Sequence, residues 1–122
     1  MDLDLYSELG EEGIASVTRH FYARVRTDDL LAPMYPADDW DGAEARLRDF
    51  LVGRFGGPQR YVEQRGHPRL RMRHARFVLD QAARDRWVEH MDAAIDASDI
   101  PEGAAERMRA FLSDTATFLM NR

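Results

Sequence analysis

The chain contains no cysteine. Disulfides, thiolate metal sites and a cysteine nucleophile are therefore excluded. No apolar run approaches the roughly 18 residues that a membrane span requires, and no basic-then-apolar leader opens the sequence. It accordingly reads as cytoplasmic, with no membrane span. There is no glycine-rich strand-to-helix loop to cradle a nucleotide, no His-Glu-x-x-His pair and no pairing of carboxylates on an apolar face. Positive charge is in the minority. Seventeen basic residues against 22 acidic ones leave a net charge of −5, which disfavours nucleic acid and anionic lipid as partners.

What is present suits one globular core. At 122 residues, with 44% hydrophobic and 32% charged, residues 1–122 are expected to form a single domain. No stretch alternates apolar and polar residues long enough for a strand, so the expected class is all-α. A short helix is expected over Leu3–Leu9, closed by Gly10. A second, from Glu12 to Arg26, carries Ile14, Val17, Phe21 and Val25 at helical spacing, and Asp28-Asp29 ends it. Leu30 to Met34 reads as one tight turn before Tyr35-Pro36. A third helix starts near Asp39–Asp41, presents Ala43, Leu47, Phe50, Leu51 and Phe55 on one side, and stops at Gly56-Gly57-Pro58.

Residues 59–66 read as a connection with a turn of helix, long for so small a domain, and such segments are often functional. Pro68 is expected at the first position of a short helix that carries His74. A fifth helix spans Gln81–Ala97, and a last one presents Met108, Phe111, Leu112, Thr115, Phe118 and Leu119.

The densest chemistry lies between Arg65 and Arg76, where five arginines interrupt an acidic chain and His74 stands among them. Leu70 and Phe77 share the His74 helix face. A neutral imidazole between apolar neighbours can hold iron, and arginines beside it can grip carboxylates. Haem carries both. Spacing alone leaves His74 open to either reading, core histidine or ligand. Of the other histidines, His20 reads as solvent-facing, His67 as a helix-start residue, and His90 as partly buried with no acidic partner at helical spacing. Tyr22, Tyr35 and Trp87 each join an apolar body to one hydrogen-bond donor, on elements expected to meet across the core. Aromatics at such spacing are more often simple core.

Taken together, these strings resemble the truncated haemoglobins, specifically their group II (O-type) branch. The resemblance covers essentially the whole chain. It is densest at His20-Phe21-Tyr22-Ala23, Tyr35-Pro36-Ala37-Asp38-Asp39, Gly56-Gly57-Pro58 through Tyr61, Glu63 through His74, and Arg84-Asp85-Arg86-Trp87. It implies a two-over-two helical sandwich around one haem b, with His74 as the iron ligand and Tyr22, Tyr35 and Trp87 as distal donors. It also implies that Leu47, Phe50 and Phe55 face the haem pocket and that Arg46 and Arg73 lie near the propionates. Three positions depart from the pattern. Gly10 is followed by Glu11-Glu12-Gly13 where a Gly-Gly pair is usual, Phe55 stands where relatives often carry Trp, and Arg76 where they often carry Pro.

On that resemblance the expected partners are diatomic gases (O₂, CO, NO) and an external electron donor, with homodimerisation a family-based expectation. A hydrogen bond to a ligand that gains negative charge contributes about 1.5–3 kcal/mol. Two such donors at the low end slow release about a hundredfold. That favours redox chemistry, such as nitric oxide oxidation or peroxide reduction, or sensing, over oxygen transport. The small Ala43 implies that no side chain at that position gates the pocket. The alternative is a haem-free helical interaction module using the Arg65–Arg76 basic cluster.

Overall fold

The computed structural model describes residues 4–122. The chain forms six α-helices and one short 3₁₀ turn, with no strand among the described residues. They are α1 (Tyr6–Val25), α2 (Trp40–Arg54), α3 (Arg60–Arg65), α4 (Leu70–His74), α5 (Gln81–Ala97) and α6 (Glu102–Phe118); the 3₁₀ turn covers Ala32–Met34.

The two expected N-terminal helices meet at Gly10, and α1 as bounded here covers both. Gly10 is non-helical at φ 67, ψ 173, a positive-φ backbone that a side chain would strain, so the first helix closes there as expected and the second begins across the kink. Leu3 of the expected first helix lies outside the described residues. Beyond the bend, α1 buries Ile14, Val17, Phe21 and Val25 in one stripe, the three-to-four-residue spacing that turns one helix face inward.

Helix α1 packs on α2 and α5, and α5 packs on α6, so two helices lie over two. Phe21, Leu51, Met91 and Met108 bring all four helices into one core, each fully buried or within 1% of it. Helix α2 ends where the chain must pass close to α1. The Tyr6 amide donates to the Phe55 carbonyl at 2.9 Å, and a Cβ on Gly57 would lie 2.7 Å from the Tyr6 ring. Only glycine fits at that crossing without moving the ring.

Helix α4 is shorter than expected. It starts at Leu70 instead of Pro68, and Arg69 before it adopts a left-handed backbone at φ 45. The reason is local. The Arg73 side chain donates to the Pro68 carbonyl at 2.7 Å and the Arg69 amide donates to His67 Nδ1 at 3.1 Å, which holds Pro68 in the preceding loop. Helix α5, by contrast, has a strong start: Asp80 accepts from the Ala83 amide at 2.9 Å.

Candidate functional site

A cavity of about 210 Å³ opens between α2, α4, α5 and α6. Eight of the candidate site residues line it: Tyr22, Tyr35, Leu47, Phe50, Leu70, His74, Phe77 and Trp87. Its walls are mainly apolar, with few polar groups converging on it, the usual composition of a small-ligand site. A more open hollow of about 590 Å³ meets it at Phe50, Leu70 and Thr115.

His74 closes α4, and its ring is oriented by its own helix. Nδ1 lies 2.7 Å from the Leu70 carbonyl. A carbonyl only accepts, so Nδ1 carries the proton and the Nε2 lone pair is left free on a cavity-lining residue. That is the tautomer a metal ligand needs. Phe77 flanks the ring, with centroids 6.4 Å apart.

The three donor-bearing aromatics that line the cavity form a cluster. Tyr22 meets Tyr35 edge-on at 5.6 Å, and Trp87 rests edge-on against Phe21 at 5.2 Å. Burial pushes the Tyr22 phenol well above its ordinary range, and the neighbouring Tyr35 raises it further. Burial likewise raises Tyr35, with hydrogen-bonding groups on Tyr22 and Trp87 partly opposing it. Both phenols carry their protons at neutral pH, as ordinary tyrosines do, and the upward shift only widens that margin. Trp40, which the sequence reading took only as part of a helix start, packs 5.3 Å from Tyr35 and 6.3 Å from Tyr22 and backs the cluster.

The remaining candidates are placed elsewhere. Phe55 is fully buried at the end of α2, edge-on to Phe111 at 5.4 Å, and does not line the cavity. Ala43 is buried in the core outside the lining. Arg46 pairs with Asp39 at 3.1 Å. Arg73 braces the loop before α4 through the Pro68 and Arg65 carbonyls. The basic residue on the cavity wall is Arg84, tied to α6 through Ser113 at 2.7 Å and Thr117 at 3.1 Å. It belongs to the Arg84-Asp85-Arg86-Trp87 string, so the signal was present in the sequence, but its inward direction was not. Leu31, Met34, Leu79 and Ala83 also line the wall without having been singled out, because each lies beside a turn or a helix start, where periodicity says little.

The histidines outside the cavity are engaged. His20 is half-buried, with Nδ1 2.8 Å from the Ser16 carbonyl, and so is less exposed than expected. His90 is buried, and its acidic partner comes from across the fold: Nε2 lies 2.5 Å from Asp28.

Two helices over two, enclosing an apolar cavity lined by His74 and by Tyr22, Tyr35 and Trp87, are the architecture of the truncated-haemoglobin class. Comparison with known proteins agrees: the model of the bacterial-like globin family matches residues 4–121, and the chain belongs to that family. It is 34% identical over 122 residues to the group 2 truncated hemoglobin 3-1 of Lotus japonicus, covering 98% of this chain and 73% of that protein. The crystal structure of hemoglobin from the thermophilic phototroph Chloroflexus aurantiacus superposes with a TM-score of 0.93 at 42% identity, over 98% of each chain. The truncated oxygen-avid haemoglobin of Bacillus subtilis superposes with a TM-score of 0.91 at 32% identity, over 97% of this chain and 99% of that one. Haem-based gas binding is the function class this membership supports. Among the described residues, no helix is long and apolar enough to cross a membrane.

Proposed function

We propose that residues 1–122 form one truncated-globin domain that holds a single haem b and binds O₂, CO and NO reversibly. The observation that carries this reading is the tautomer of His74, whose Nε2 lone pair is left free at the cavity by the Nδ1–Leu70 bond. When bound, haem supplies an iron that takes a diatomic gas and exchanges electrons. His74 would hold the iron, and Leu47, Phe50, Leu70 and Phe77 would pack against the flat apolar ring. Arg46 and Arg73 would serve the carboxylates by exchanging their present acceptors, and Arg84 is an additional candidate already on the wall. Phe55 would support the pocket from behind. The small Ala43, buried in the core outside the lining, puts no gating side chain at the cavity.

Tyr22, Tyr35 and Trp87 keep their protons and offer them to a gas ligand that gains negative charge. Donors of this kind slow ligand release more than they speed capture. The Bacillus subtilis relative is described as oxygen-avid, which accords with retention rather than delivery. The activity proposed here is therefore redox chemistry on nitric oxide or peroxide, or sensing, with electrons from an external donor, in the cytoplasm, and with a homodimer as the expected assembly.

The test is haemin addition to the purified chain and to His74→Ala, with absorption spectra of the ferric, ferrous and CO forms. An intense Soret band that shifts with CO, and is lost or strongly altered in the variant, is the expected result. No Soret band in a chain of intact helicity would overturn the reading and favour the haem-free interaction module built on Arg65–Arg76.

A further inference from the structure

Three cavity-wall residues, His74, Phe77 and Leu79, occupy the stretch where α4 ends and the chain runs irregularly toward α5. A five-residue helix gives such a stretch little support of its own, since the carbonyls at a helix end lack partners within the helix. Asn121 reaches this segment from the far end of the sequence. Its Nδ2 donates to the Phe77 carbonyl at 2.9 Å and to the His74 carbonyl at 3.4 Å. Its Oδ1 accepts from the Leu79 amide at 3.0 Å, and its own amide donates to the Leu79 carbonyl at 3.0 Å.

The carboxamide suits this task because it carries donor and acceptor in one plane. An aspartate would lose the donor side, and an aliphatic residue both. The stretch leading to Asn121 also places Leu119 on the cavity wall, so the strap and part of the wall are one piece of chain.

The His74 ring is tied to the Leu70 carbonyl through Nδ1, so Nε2 turns with the α4 backbone. Whatever fixes the end of α4 therefore fixes the direction of that lone pair. We propose that Asn121 is a positioning residue for His74: by clamping the His74, Phe77 and Leu79 backbone, it sets the aim of Nε2 and the firmness with which His74 holds its metal. This inference rests on the haem-binding reading above.

The test compares Asn121→Ala and Asn121→Asp with the wild type. In the haem-free chains, amide hydrogen exchange at Leu79 reports whether the clamp holds. In the haemin-loaded chains, haem loss to an excess of an acceptor globin and the ferrous iron–histidine stretching band report its effect on His74. Helix content by circular dichroism is expected to stay unchanged. Asn121→Ala is expected to speed Leu79 exchange, to speed haem loss on the order of tenfold, and to shift or broaden the iron–histidine band. Asn121→Asp, which keeps only the acceptor, is expected to fall between. A purely structural tie would lower the melting temperature while leaving the band and the haem-loss rate within twofold of wild type, and that result would overturn the proposal. Should Asn121→Ala fail to fold, Asn121→Asp carries the same readouts. A wild type that takes up no haemin overturns the proposed function and this inference together. A wild type that loads normally, beside variants indistinguishable from it, overturns this inference alone.

Discussion

At the scale of single residues, the site depends on which atom keeps a proton. His74 offers Nε2 because Nδ1 is committed to the Leu70 carbonyl, and Tyr22 and Tyr35 carry the phenol proton of any tyrosine at neutral pH, which burial makes still harder to lose. Trp87 donates whatever the pH, since its indole N–H does not titrate in this range. Trp87→Phe keeps most of the ring contact with Phe21 and removes only that donor. It is expected to raise the O₂ dissociation rate on the order of tenfold, the equivalent of about 1.5 kcal/mol for one hydrogen bond to a charged acceptor. Flash photolysis or stopped-flow displacement of O₂ by CO checks this; an unchanged rate would make Trp87 a packing residue. These donor-bearing residues stood out in the chain because each joins a large apolar body to one hydrogen-bond donor; their distal role came from the resemblance, since positions 22, 35 and 87 share no regular spacing. Trp40 and Arg84 did not stand out, because nothing in the spacing says which way a side chain at a helix start points.

At the scale of elements, the turn that brings Leu31 to the cavity wall is held by a buried carboxylate. Asp28 Oδ1 accepts from the Leu30 and Leu31 amides at 2.7 and 3.0 Å, while Oδ2 accepts from His90 and from Arg86 at 2.9 Å. It thereby fixes the turn that carries Leu31 onto α5, the helix that carries Trp87. Burial alone would raise the Asp28 carboxyl, but bonds from His90, Arg86 and the two amides outweigh it and hold the group well below the usual carboxylate range. A folded value below the unfolded one stabilises the fold above the unfolded pKa of about 3.9, and that contribution is lost as pH falls below about 4 toward the depressed value. Asp28→Asn is expected to cost about 2 kcal/mol at neutral pH and to flatten the acid limb of stability. Urea midpoints measured between about pH 3 and 7 check both effects; parallel curves for wild type and variant would remove Asp28 as the cause. The sequence reading took Asp28-Asp29 as a helix end, and α1 does stop at Val25. That His90 would supply the partner for Asp28 could not be read from the chain, since the two lie 62 residues apart.

At the scale of the whole molecule, the four-helix core and the cavity compete for the same apolar residues. Leu47, Phe50, Leu70 and Phe77 are only partly buried in the protein alone, so a flat apolar ligand between them would complete their burial. Haemin should therefore stabilise the fold by mass action. Free haemin at about a hundredfold above its dissociation constant contributes roughly 2.7 kcal/mol, which corresponds to a rise in melting temperature of about 10 °C for a chain of this size. Calorimetry with and without haemin checks this, and an unchanged melting temperature would place the ligand outside the core. The sequence by itself determined the all-α class, the order of the helices, their inward stripes and the string around His74. Each of these is written in local spacing, which a helix repeats every few residues. The tertiary structure alone decided that Arg46 and Arg73 are engaged by Asp39 and by backbone carbonyls, and that Asn121 closes on the segment carrying His74. Those contacts join residues brought together only by packing or by a local backbone turn, and helical periodicity specifies neither.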